Sequence, residues 1–200
     1  MATMNQGTLI STTGQTLDKR IWLPQGAPRA IVQLVHGMAE HIDRYDAPAR
    51  ALCDAGYLVV GHTHLGHGPK AKVLGHFADE GGWDCLLEDI HRLRLETEQA
   101  YPGVPYFLLG HSMGSFLTRC YLTQHGEGLR GAVLSGTGWF GAVPVKSGIA
   151  LRICCAPAER LISPQRSWIG WLSAAPTSPL HPTARPLTGC RGITIRWICI

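Results

Sequence analysis

The sequence predicts an α/β fold, a mostly parallel sheet flanked by helices. Three observations predict it. Strand and helix signals alternate from residue 8 to about residue 140. Residues Ala30-Ile-Val-Gln-Leu-Val35 form a short, nearly continuous apolar run, as expected for a strand buried on both faces. The run Tyr106-Phe-Leu-Leu109 passes straight into Gly110-His-Ser-Met-Gly114, a Gly-x-Ser-x-Gly pattern that marks a tight strand-to-helix turn.

The elements follow in order. After the strand at 30–35, Tyr45 to Ala55 reads as a helix with Tyr45, Ala49, Leu52 and Cys53 on one face. Pro48 falls in its first turn, where proline is tolerated, and Gly56 stops it. Tyr57-Leu-Val-Val60 is the next strand. Trp83, Leu86, Leu87, Ile90 and Leu93 recur at helical spacing and predict an amphipathic helix to about Tyr101, ended by Pro102 and Gly103. Pro105 to Leu109 is a strand. Met113 to His125 is a helix with Phe116, Leu117, Cys120 and Tyr121 inward, and Gly131 to Leu134 is a further strand. Strands separated by helices imply right-handed crossovers and parallel pairing.

Beyond about residue 145 this pattern dissolves. Residues 151–200 hold six prolines, four of the seven cysteines and three of the six tryptophans. Residues 1–150 carry twelve basic and thirteen acidic side chains, whereas residues 151–200 carry six arginines, no lysine and one glutamate. The whole-chain charge of +4 therefore hides a nearly neutral body and a basic tail, unlike a uniformly basic nucleic-acid binder. The expected division is 1–145 as an N-terminal core and 146–200 as an aberrant tail, frameshifted or disordered. Within the tail, Ile193 to Ile200 has the character of a short strand.

A mean hydropathy of +0.04 and 45% apolar residues suit a globular domain. Residues 1–17 lack the apolar core of a signal peptide, and no apolar stretch reaches the roughly 18–20 residues of a membrane span. The expectation is a cytoplasmic protein without an integral membrane segment. Seven cysteines without zinc spacing or a secretion signal read as reduced, with Cys53, Cys85 and Cys120 as small apolar helix residues.

The chemistry centres on Ser112. A serine between Gly110 and Gly114 projects its hydroxyl above the sheet and is the candidate nucleophile. Acyl transfer also needs oxyanion donors, a base and an acid that orients it. The candidate donors are the backbone N–H groups of Met113 and of Met38, the latter in the loop His36-Gly-Met-Ala-Glu-His41. Gly37 lets that loop turn closely, and the N-terminus of the helix starting at Met113 adds a favourable dipole. Beyond Ser112 the chain has no aspartate, two glutamates (Glu127, Glu159) and two histidines (His125, His181).

Three stretches are found together: His36-Gly-Met-Ala-Glu-His-Ile-Asp-Arg-Tyr45, His64-Leu-Gly-His-Gly68 and Gly110-His-Ser-Met-Gly-Ser115. Together they resemble the monoacylglycerol lipase and lysophospholipase branch of the α/β-hydrolases, the serine aminopeptidase S33-like group. The resemblance covers residues 8 to about 145, that family's N-terminal half, and Ser135-Gly-Thr-Gly-Trp139 resembles the stretch before the family's cap. It implies an α/β-hydrolase fold with a helical cap after the sixth strand, and a catalytic Asp and His on loops after the last two strands. Neither has a matching segment here, so the C-terminal part reads as truncated or aberrant. Where the family usually carries Asp before the His-x-Gly-His-Gly turn, this chain has Thr63.

The implied activity is that of a serine hydrolase of carboxylic esters, acting on a small lipid-like ester without cofactor or metal and crippled by loss of the acid and base. The alternative is a truncated, non-catalytic remnant or a binding-only fragment. The order Ser112, Glu159, His181 matches nucleophile–acid–base, but neither later residue sits at a recognisable strand end. His36, Gly37, Glu40, His41, Gly110 and Gly114 read as the supporting loops. His62, His64 and His67 read as a loop turn rather than a metal site, and Trp168, Trp171 and Arg166 lack a nucleic-acid-binding module around them. Oligomeric state has no signal in the sequence.

Overall fold

A computed structural model describes residues 3–138 and the backbone of a strand at 194–198. All of these except Gly138 belong to one unit, built from Met1–Thr137 and Ala184–Ile200. The element order is β1 (Thr3–Ile10), β2 (Thr16–Leu23), β3 (Ala30–Val35), a 3-10 turn (Ile42–Tyr45), α1 (Asp46–Asp54), β4 (Tyr57–His62), α2 (Gly82–Ala100), β5 (Tyr106–His111), α3 (Met113–His125), β6 (Gly131–Ser135) and β7 (Thr194–Ile198). The sheet runs β1-β2-β4-β3-β5-β6-β7. β4, β3, β5, β6 and β7 are mutually parallel, and β1 and β2 form an antiparallel hairpin at one edge. This is the order and mixed pairing of an α/β-hydrolase sheet.

The expected strands and helices lie within one or two residues of where their patterns place them. The hairpin was not expected. β1 reads Thr-Met-Asn-Gln-Gly-Thr-Leu-Ile, a largely polar edge strand with one buried side chain, Leu9. The short strand suspected at 193–200 is present as β7, paired in parallel with β6. The rest of the 146–200 tail, including Glu159, His181, the proline cluster, Cys154-Cys155, Trp168 and Trp171, lies outside the described residues.

Helices cover both faces of the sheet. β3 is buried along its whole length, and its residues alternate between two cores. Ile31 and Val35 face α2 and α3, packing with Leu86, Ile90, Leu117 and Tyr121. Val32 and Leu34 face the α1 side with Trp22, Ile42, Ala49 and Cys53. Each such buried aliphatic side chain is worth roughly 1.5–3 kcal/mol. Gln33, fully buried between them, is satisfied on both ends: its Nε2 donates to Ile90 O (2.9 Å) and its Oε1 accepts from Tyr106 Oη (2.7 Å). That pair of bonds ties the central strand to α2.

Two further buried polar groups fix the surroundings. Asp89 on α2 accepts from Ser11 Oγ (2.8 Å) and Thr12 N (3.0 Å), holding the tip of the β1–β2 hairpin. Arg94 donates to the carbonyls of His125 and Glu127 (2.7 Å each) and so holds the end of α3. Glu127 is a loop residue just past that helix. Trp83 departs from the expected inward stripe of α2: it opens the helix's first turn and is 36% exposed. Cys53, Cys85 and Cys120 are free thiols on α1, α2 and α3.

Candidate active site

Parallel strands β3, β4, β5 and β6 end on the same edge of the sheet, and the loops leaving them meet there. Ser112 lies between β5 and α3 with φ 51° and ψ −118°, a conformation that side chains other than glycine rarely adopt. The surroundings hold it there. Its N–H donates to Ser135 O (2.9 Å) at the end of β6, and its carbonyl accepts from Ser115 N (2.9 Å) and Ser115 Oγ (2.6 Å).

The flanking glycines are required by contact rather than by φ. A Cβ at Gly110 would collide with Gly114 O and Thr118 Oγ1. A Cβ at Gly114 would collide with Val35 O and lie 2.6 Å from His36 O. The helix α3 therefore abuts the end of β3 backbone to backbone, which brings the two loops of interest together.

The loop after β3 folds around Glu40. Its Oε2 accepts from Gly37 N (3.0 Å) and Tyr45 Oη (2.8 Å), and its Oε1 accepts from Arg44 Nη1 (3.2 Å). Burial, reinforced by the hydrogen bond to Glu40, pushes the Tyr45 phenol above its ordinary range. Ala39 takes a positive φ of 58° in the same turn. A Cβ at Gly37 would stand 3.1 Å from Ser112 Cβ and 3.3 Å from His111 O, so this loop rests on the Ser112 turn. With the Gly37 N–H engaged by Glu40, Met38 carries the next N–H of the loop. Met113 opens α3, so its N–H has no intrahelical acceptor.

Behind this loop lies a cluster of buried imidazoles. His36 Nε2 accepts from His64 N (2.9 Å), which places the ring proton on Nδ1, 2.8 Å from Gly37 O. The His36 and His64 rings are 4.0 Å apart, His62 and His64 5.0 Å, and His36 and His67 5.3 Å. Burial lowers His36 and His62 to about 3, and lowers His64 and His67 as well. All four are neutral at neutral pH. Both ring nitrogens of His62 and of His64 lack a hydrogen-bond partner among the described residues. No group of three or more His, Cys, Asp or Glu among the described residues is arranged to hold a metal. Thr63 accepts from Ile42 N (3.2 Å) and so anchors the end of the loop after β3.

Of the residues singled out in the sequence, the structure brings Ser112, Met113, Gly110, Gly114, His36, Gly37, Met38 and Glu40 into one neighbourhood. His41 sits at the loop's far end, where its Nδ1 is 3.7 Å from Asp43 Oδ2 and has no hydrogen-bond partner among the described residues. His111 turns away to Ser135 Oγ (3.3 Å). No described side chain hydrogen-bonds Ser112 Oγ. Glu159 and His181 lie outside the described residues. Ser135 and Ser115, which hold the Ser112 backbone, were not singled out as supports; their only sequence signals are a position at a strand end and one at the helix N-terminus.

The chain is similar to several known proteins. The family model described as Serine aminopeptidase, S33 matches residues 26–199. Human monoglyceride lipase is 38% identical over 106 residues, which is 53% of this chain and 34% of that protein. The monoacylglycerol lipase of Mycolicibacterium smegmatis is 31% identical over 135 residues, 68% of this chain and 47% of that protein. Among solved structures, a thermostable carboxyl esterase from Bacillus coagulans, in complex with glycerol, superposes with a TM-score of 0.69 at 31% identity. That match covers 88% of this chain and 59% of the esterase. The aligned stretch spans between a third and a half of the length of these curated lipases. No helix among the described residues is long and apolar enough to cross a membrane.

Proposed function

Because the chain belongs to the serine aminopeptidase S33 family of α/β-hydrolases, we propose that its chemistry is hydrolysis of carboxylic esters of the monoacylglycerol or lysophospholipid kind. Ser112 is the nucleophile. Its Oγ attacks the acyl carbonyl, and the N–H groups of Met38 and Met113 stabilise the oxyanion. The intermediate collapses by breaking the ester C–O bond, the leaving alcohol takes up the proton lost by the serine, and the acyl-Ser112 ester is hydrolysed by water. The observation that carries the reading is the backbone of Ser112, held at φ 51° on a strand-to-helix turn against the Gly37 loop. The lipase relatives and the glycerol-bound esterase support a glycerol-type leaving group.

A second reading has its own observation. No described side chain is hydrogen-bonded to Ser112 Oγ, and His36, with both ring nitrogens engaged, is not available as a base. We therefore read the site as crippled for turnover, keeping nucleophile and oxyanion loop without an acid–base pair among the described residues. We also read residues 1–145 as the N-terminal part of the hydrolase core and 146–200 as an aberrant tail. Against that division stand the pairing of β7 with β6 and a family match that runs to residue 199.

Added imidazole tests both parts. It can serve as the missing base, so p-nitrophenyl butyrate hydrolysis is expected to rise with imidazole at least tenfold more in the wild type than in Ser112→Ala. Equal rates in the two proteins would remove Ser112 from the mechanism. Fast wild-type turnover without imidazole would show that the chain supplies its own base.

A further inference from the structure

The exposed apolar side chains of the described region are concentrated at one edge. Five large ones stand out: Ile10 (53% exposed), Val73 (58%), Leu74 (58%), Trp83 (36%) and Leu95 (52%). β1 is antiparallel to β2, and β2 to β4, so β1 ends at the same edge as β4. Ile10 closes β1. Val73 and Leu74 lie on the loop that leaves β4, and Trp83 is the second residue of α2, which follows that loop. β3 and β5 run parallel to β4, so Ser112 stands at this edge too. Leu95, well along α2, lies away from it.

The loop is closed at its base: Gly75 N donates to Gly66 O (2.8 Å), and a turn is made by Ala71 N to Gly68 O (3.3 Å). Its outer end is therefore the stretch 69–74, Pro-Lys-Ala-Lys-Val-Leu. Lys72 directly precedes the two exposed aliphatic residues, and Lys70 lies two residues before it. Lys70 Nζ contacts Asp18 Oδ1 at 2.7 Å yet its side chain remains 70% exposed, and Lys72 makes no ion pair among the described residues. The acidic residues of the loop, Asp79 and Glu80, lie on the returning limb, where His76 Nε2 is 3.2 Å from Asp79 Oδ1.

We propose that the tip 69–74, with Trp83 and Ile10 on the same edge, docks this chain onto an anionic lipid surface. Val73 and Leu74 enter the acyl boundary, the lysines reach lipid phosphates, and Trp83 sits at headgroup depth. The charge pattern selects this occupant: Lys72 adjoins the aliphatic tip without an ion pair among the described residues, the Asp18 carboxylate that meets Lys70 is itself largely covered, and the loop's own carboxylates, Asp79 and Glu80, stand back on the returning limb. The inference rests on the ester-hydrolase reading for its purpose, since docking this edge would place the Ser112 mouth over a layer of lipid-like ester.

The test is cosedimentation of the full chain with unilamellar vesicles at low salt. One set is phosphatidylcholine alone and the other phosphatidylcholine mixed with phosphatidylglycerol. Binding to the mixed vesicles is expected, with weaker binding to phosphatidylcholine. The double variant Val73→Asp/Leu74→Asp is expected to lower partitioning at least tenfold, and Lys72→Glu about fivefold or more, the effect of one interfacial cation. Leu95→Asp is expected to bind as the wild type does. Circular dichroism checks that these surface variants fold. Absence of binding to either vesicle, undiminished binding by the folded double variant, or equal loss in Leu95→Asp would overturn the proposal. So would a wild-type dimer that the double variant converts to monomer, since a second copy would then cover the patch. Ser112→Ala is expected to bind vesicles normally, so failure of the hydrolase reading and failure of docking give different results.

Discussion

Gly114→Ala tests the close approach that builds the site. The added Cβ would collide with Val35 O and lie 2.6 Å from both Val35 C and His36 O. Comfortable carbon contacts begin near about 3.5 Å. The atoms it meets are backbone at the end of the central strand, so no rotamer relieves the clash. α3 must move out by about 1 Å, loosening Leu117 and Tyr121 in the core. Overpacking costs about 1–3 kcal/mol, and a backbone collision belongs at the upper end. Against it stands the helix preference for alanine over glycine, about 1 kcal/mol. The collision wins, for a net loss of about 2 kcal/mol. In a chain of this length that lowers the melting temperature by about 4–8 °C. Urea and thermal unfolding measure it. Gly103→Ala is the reference, because Gly103 has φ 76° but open space around it, so only the backbone term of about 1–2 kcal/mol applies. A Gly114→Ala protein as stable as the wild type would refute the backbone-to-backbone contact between α3 and β3.

Two further perturbations follow from the loop after β3 and the imidazoles behind it. Folding lowers His36 and His62 to about 3 from an ordinary value of 6.5, so below that value the unfolded chain binds more protons and stability falls as pH falls. The loss approaches about 1.4 kcal/mol per pH unit for each imidazole, or about 2 kcal/mol each between pH 7 and pH 5. His64 and His67 act in the same direction; Lys19 near His62 and His41 near His36 reinforce it, while Glu40 near His67 opposes it. Urea unfolding across that range that showed flat or rising stability toward acid would contradict the burial of these rings. Glu40→Ala leaves Gly37 N and Tyr45 Oη without their acceptor, which costs about 1–3 kcal/mol. It is also expected to bring the Tyr45 phenol down toward its ordinary range, read by ultraviolet titration; an unmoved phenol would show that Glu40 does not organise the loop.

The parts of the fold legible in the sequence are those where burial and periodicity coincide. β3 is apolar because both faces are covered, and α2 shows its stripe because one face packs on the sheet. The Gly-x-Ser-x-Gly turn was legible because Gly110 and Gly114 have contacts that no side chain tolerates. The β1–β2 hairpin was not, since β1 is a polar edge strand whose place is set by long-range pairing and by Asp89 reaching Ser11 and Thr12. Trp83 fits the helical period yet sits in the first turn, where the helix extends past the core. The four imidazoles look like loop residues in sequence, because polarity hides their burial. The support given to Ser112 by Ser135 depends on β6 lying beside β5, which sequence spacing does not express.

The central claim is that acyl transfer in this protein passes through Ser112. Brief exposure of the full chain to p-nitrophenyl butyrate, followed by mass spectrometry of its peptides, tests it most directly. The account predicts one butyryl group on the peptide containing Ser112, persisting on the proposed reading of a site crippled for turnover, and none on that peptide in Ser112→Ala. An unmodified Ser112 peptide in the folded wild-type protein, or the same adduct in Ser112→Ala, would contradict it.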